Sequence, residues 1–212
     1  MKKITIISLL CLCVLYVHAQ RTKIFSLSPM TRETAKVNGV VVGLGHLDYD
    51  SLQRQINGVN IDLFILSPLV VLYGDPTRLE EEPTRLISNG VNLGLGGFLH
   101  RGTVHRGLSV AMYSVAKKLD GVSVQATYTS VQKLNGLHLS VIGNFSEELH
   151  GVGVGIYNSN HRTQGIQLGI FNKSKRTVGL QIGLINVSKS VSGLQLGIWN
   201  ENARRSLPFI NF

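Results

Sequence analysis

The chain has 212 residues, 43% of them hydrophobic and 16% charged, with a formal net charge of +9 and two cysteines. Such a composition excludes a disordered charged tail. With 23 glycines and only 5 prolines, it also excludes collagen, a coiled coil and a helical bundle.

Lys2 and Lys3 precede an apolar stretch over 4–17, and Val17 and Ala19 stand where a cleavage after residue 19 needs small residues. The stretch is short for a membrane span, so 1–19 reads as a secretory signal peptide. Cys11 and Cys13 fall inside it, which leaves the exported chain without disulfides, thiol chemistry or Cys-based metal sites. Loss of Lys2 and Lys3 takes the net charge from +9 to +7. Residues 20–212 read as a single β-repeat domain. Its parts are an irregular region over 20–106, regular repeats over 107–200 and a closing strand over 201–212.

Residues 20–37 read as an extended lead-in. GVVVGLGH at 39–46, GVNIDLFI at 58–65 and GVNLGLGG at 90–97 share one template. Between the last two lie Pro68, Gly74, Pro76 and the polar run TRLEEEPTRLIS at 77–88. That run reads as a surface loop with a short helical turn, and as the place for specificity on a repeat scaffold. His100 and His105 stand beside Arg101 and Arg106, with too few ligands and too many cations for a metal.

From Gly107 the repeat becomes regular. Gly107, Gly121, Gly136, Gly151, Gly165, Gly179 and Gly193 are spaced 14, 15, 15, 14, 14 and 14 residues apart. Counting each of these glycines as position 0, positions 1, 3 and 5 hold 21 apolar side chains, and positions 0, 2 and 4 hold no large apolar one. Strict alternation of this kind marks a half-buried strand. The expectation is that the apolar rows form the core, worth roughly 30–60 kcal/mol gross at ~1.5–3 kcal/mol per side chain. Asn144, Asn158, Asn172, Asn186 and Asn200 close successive repeats. Asn suits such turns and can form amide ladders between stacked units, so these positions read as structural.

The fold class is all-β, a β-solenoid-like stack of 14–15-residue units. The alternatives are an antiparallel outer-membrane β-barrel of about 12 strands, whose last strand would be the closing LPFINF, and a soluble sandwich or barrel. Positions 1–5 span roughly 13 Å at ~3.3 Å per residue, a thin band against the ~25 Å of a membrane barrel.

GIQLGIFN at 165–172, GLQIGLIN at 179–186 and GLQLGIWN at 193–200 resemble the surface-repeat proteins of Gram-negative bacteria. In those proteins a Gly-Leu-Gln-Leu-Gly-Leu-x-Asn motif recurs every fourteen or fifteen residues behind a signal peptide. The resemblance is strong over 151–200 and weaker over 36–150, and it extends to LPFINF. It implies an exported protein at the cell surface or outer membrane, and supplies no catalytic or binding residues. Gln125 and Ser140 stand where the motif has its second glycine, which puts the regularity of the middle repeats in question.

No catalytic constellation emerges. None of the 12 acidic residues occupies an even position of the regular strands, and Gly-x-Gly patterns such as GVGVG precede no helix start. The chain therefore reads as non-enzymatic, with no cofactor and no metal. It reads as a structural or adhesive module of the envelope, or else as a structural or pore-forming barrel. Gln167, Gln181 and Gln195 form one polar row, read as a candidate binding face. The partner classes are envelope glycan, lipid or another surface protein. Nucleic acid is excluded by export and by the lack of interleaved aromatics.

Overall fold

The computed structural model describes residues 22–31, 34–44, 52–96 and 101–212. The leader read over 1–19 and His100 lie outside the described residues. The elements are β1 (Thr22–Ser28), β2 (Lys36–Gly43), β3 (Arg54–Asp62), α1 (Ser67–Tyr73), β4 (Leu86–Gly94), β5 (Thr103–Ala111), β6 (Ser114–Gln125), β7 (Tyr128–Ser140), β8 (Gly143–Val154), β9 (Tyr157–Leu168), β10 (Phe171–Ile182), β11 (Ile185–Glu201) and β12 (Ser206–Asn211).

All twelve strands form one sheet in chain order. Every pair from β1–β2 to β10–β11 is parallel, and only β12 returns antiparallel, on β11. The fold is a β-solenoid in which each repeat is one coil, as the constant period requires. It is not a barrel: a meander of hairpins would pair antiparallel, and β1 and β12 stand at opposite ends of the sheet. The lead-in is itself the first coil, since β1 pairs with β2. The irregular third joins the same register, with Gly39 paired to Gly58, Gly58 to Gly90 and Gly90 to Gly107.

The position-0 glycine turns a corner in each coil from β2 to β11. Gly179 has φ +129°, and a Cβ there would sit 2.2 Å from the carbonyl oxygen of Gly165. Only glycine meets both demands, the left-handed backbone and the close approach of the coil below.

The expected inside and outside are exchanged. Asn172, Ser174, Thr177 and Gln181 of β10 are buried, while Leu184 and Ile170 are each 50% exposed. The apolar rows therefore line the outside, and the 30–60 kcal/mol of gross burial does not apply to them. The reason lies in what the interior pairs. Asn172 Nδ2 reaches the carbonyl oxygen of Ile182, ten residues on, at 2.9 Å. Ile182 stacks over Leu168, four residues before Asn172, so this inner corner is filled by a coil-to-coil amide where a leucine would leave the carbonyl unpaired.

Instead the interior is zipped by hydrogen bonds between coils. One chain of amides donates from Asn144 through Asn158, Asn172 and Asn186 to Asn200, at 2.8–2.9 Å per step. A second runs the other way, from Asn211 through Gln195, Gln181 and Gln167 to Asn160 and Ser146, at 2.6–3.0 Å. Buried polar groups are costly only when unpaired, and here each amide serves as both donor and acceptor. Towards the N-terminal end apolar side chains join the interior: Val37, Ile56, Leu119, Leu134 and Leu149 are buried in one row, with Ser88 and His105 among them.

The irregular middle repeats keep register. A Cβ at Gly183 would lie 2.6 Å from Asn172 Nδ2, so the second glycine makes room for the asparagine eleven residues before it. Eleven residues before Ser140 and Gln125 stand the shorter Thr129 and Ser114, which leave that room free. Thr129 and Ser140 close the gap with a 2.8 Å hydroxyl–hydroxyl bond. The helical turn expected within 77–88 lies earlier, as α1, where Pro68 suits a first turn and Gly74 follows the last residue.

Candidate functional site: an outer apolar furrow beside basic rows

Gln167, Gln181 and Gln195 are each 0% exposed. The sequence reading placed them on an outer polar face. The structure places them inside, where their amides bond to one another, so they offer no surface to a ligand. His105 and His138 are buried as well. His138 lies 2.8 Å from Ser123 Oγ through Nδ1, and burial pushes its imidazole down to about 4. Burial also lowers the His105 pKa. Both rings lie in the interior, where burial disfavours their charged forms.

The surface that the motif does build is apolar. Positions 3 and 5 flank the position-4 glycine, so successive coils stack two aliphatic walls over a floor of backbone. Ile156, Ile170, Leu184 and Ile198 form one wall, Leu168, Ile182 and Leu196 the other, and Gly155, Gly169, Gly183 and Gly197 the floor. The resulting furrow holds about 1070 Å³ and runs along the solenoid axis. Phe209 of β12 closes one end, paired with Gly197 in the row where the coils below carry glycine. Its own φ is +65°, in the left-handed region.

An aromatic row borders the furrow. Tyr157 and Phe171 stack with centroids 5.0 Å apart, and Trp199, the chain's only tryptophan, is 45% exposed in the same row. Beyond it come exposed bases: Lys173, Lys175 and Arg176 on β10, and Lys189 on β11. None of these four makes an ion pair among the described residues.

On the earlier coils the same flank is neutralised. Lys118 meets Asp120 at 2.8 Å, Lys133 meets Glu148 at 2.7 Å, and Arg162 approaches Glu148 at 3.5 Å. The hydrogen bond from Lys133 is the main reason the Glu148 carboxyl titrates below its ordinary value. The acidic loop folds over this part too, with Glu82 and Glu80 carbonyls accepting from Lys117 at 3.3 Å and Gln132 at 3.0 Å. Among the described residues, no three His, Asp or Glu side chains gather as metal ligands, and no helix is long and apolar enough to cross a membrane.

The rows of the furrow were legible in the alternation, but their exposure was not. Nothing in a two-sided strand pattern says which side the coil encloses. Compared with known proteins, the chain matches no family model, no curated protein and no solved structure.

Proposed function

We propose that the chain is an exported, non-enzymatic surface-repeat protein, a scaffold of the cell envelope whose outer apolar flank is its contact surface. The observation that carries this reading is the inversion of the coil. A coil already filled by amide ladders and a row of buried apolar side chains still places its regular leucines, isoleucines and valines on the outside, in register over successive coils. Exposed apolar patches that large and ordered mark contact surfaces. The leader-like first 19 residues and the likeness of 151–200 to Gram-negative surface repeats support export. The polar side chains with chemical potential are engaged structurally: the glutamines in a ladder, and Glu148 and Asp120 in ion pairs.

Fractionation of Gram-negative cells producing the full chain tests this. The expected product begins at Gln20 and partitions with the envelope. An unprocessed chain in the cytosol would overturn the reading.

A further inference from the structure

We infer that the furrow docks the protein onto the surface of an anionic phospholipid bilayer, with the C-terminal coils as the docking end. The inference rests on the reading of the outer flank as the contact surface, and names its partner.

Four observations select this occupant. The walls are aliphatic, and a peptide strand laid in the furrow would leave backbone donors and acceptors unpaired. Acyl chains make no such demand. Charge follows the same geometry: residues 151–212 carry seven Lys and Arg against Glu201 alone, a net +6. Polybasic surface of this kind is drawn to anionic headgroups. The aromatic row of Tyr157, Phe171 and Trp199 lies between the aliphatic rows and Lys173, the order that a headgroup boundary favours. Finally, positions 1–6 over the six coils from Ser140 to Phe209 cover roughly 17 by 24 Å, or about 400 Å², at 3.3 Å per residue and 4.8 Å per strand. A stable dimer takes about 800 Å² from each copy, so this patch is small for a second chain. An interfacial contact, in contrast, needs only apolar area combined with electrostatic attraction.

The test uses the chain from residue 20, which holds all twelve strands, and vesicles of phosphatidylcholine with or without phosphatidylglycerol. Cosedimentation is expected to show at least ~10-fold stronger partition onto the anionic vesicles. Trp199 emission should shift to the blue on binding. The triple variants Ile156→Ser/Ile170→Ser/Leu184→Ser and Lys173→Glu/Lys175→Glu/Arg176→Glu should each lose roughly tenfold or more. Their β-type circular dichroism should be unchanged, because these side chains lie outside the coil.

Equal binding to both vesicles, or none, would overturn the proposal. So would a dimer in sedimentation that the serine variant dissociates, since a second copy would then cover the furrow. Failure to bind vesicles by a chain that is processed and envelope-bound overturns the docking alone. Vesicle binding by a chain that cells leave unprocessed in the cytosol supports the docking and overturns the export reading.

Discussion

Asn172 donates from Nδ2 to Oδ1 of Asn186 at 2.8 Å, and the same nitrogen reaches the Ile182 carbonyl at 2.9 Å. One side chain thus ties a coil to its successor twice, in the amide ladder and at the inner corner where Ile182 stacks over Leu168. Asn172→Ala strips both bonds and leaves buried groups unpaired on either side. A destabilisation of about 2–4 kcal/mol is expected. Urea denaturation followed by circular dichroism measures it, with Lys173→Ala, one residue away and exposed, staying within about 0.5 kcal/mol of the parent.

The glycines of the repeat divide into two kinds. Gly179→Ala meets both a left-handed backbone and the Gly165 oxygen at 2.2 Å, and should cost about 3 kcal/mol or more. Gly153 has no such backbone, and its nearest neighbour is the flexible tip of Leu149 at 3.1 Å. Gly153→Ala should cost about 1 kcal/mol or less. Comparable losses in the two variants would refute the stacked corner.

Burial predicts an inverted pattern among the leucines. Leu134 is 0% exposed inside the coil, and Leu184 is 50% exposed outside it. Leu134→Ala should cost about 2–5 kcal/mol, the range for cavities in a packed core. Leu184→Ala, from the repeat's most regular motif, should cost about 1 kcal/mol or less. The reverse order in thermal melts would return the apolar rows to the interior.

His138 makes stability fall with acid. Its folded pKa of about 4 lies below the ordinary imidazole value of 6.5, because burial disfavours the charged ring. Above pH 6.5 neither state holds the proton, so no stability is lost. Between pH 6.5 and 4 the unfolded chain binds it and the folded chain does not, so stability declines, by about 3 kcal/mol in total. His105 is shifted in the same direction and adds to the slope. His138→Gln, which continues the glutamine row, should flatten the decline in denaturation midpoints between pH 7 and 4. An unchanged profile would mean that the ring is accessible to protons in the folded state.

The candidate site was half readable. The glutamine row at 167, 181 and 195 is a real row, and the asparagines are the amide ladder that their spacing suggests. The misplacement of the glutamines came from assuming that leucine goes inside. That assumption fails where Asn172 can bond to the Ile182 carbonyl and to Asn186, since an apolar side chain there would leave buried backbone and amide groups unpaired. The docking of Glu80 and Glu82 carbonyls onto Gln132 and Lys117 had no local signal, because those pairs lie 52 and 35 residues apart.

Repetition at fourteen or fifteen residues, alternation along each strand and glycine at every position 0 are properties of the chain itself. Together they dictate stacked β coils in register, because identical units stack their like residues one over another and only glycine tolerates the corner. Which face the coil encloses is a tertiary property. It depends on whether side chains in successive coils can pair, and that is not encoded in the alternation of any one strand. Closure around Asn and Gln ladders, and with it the apolar furrow on the outside, was decided only when the coils stacked.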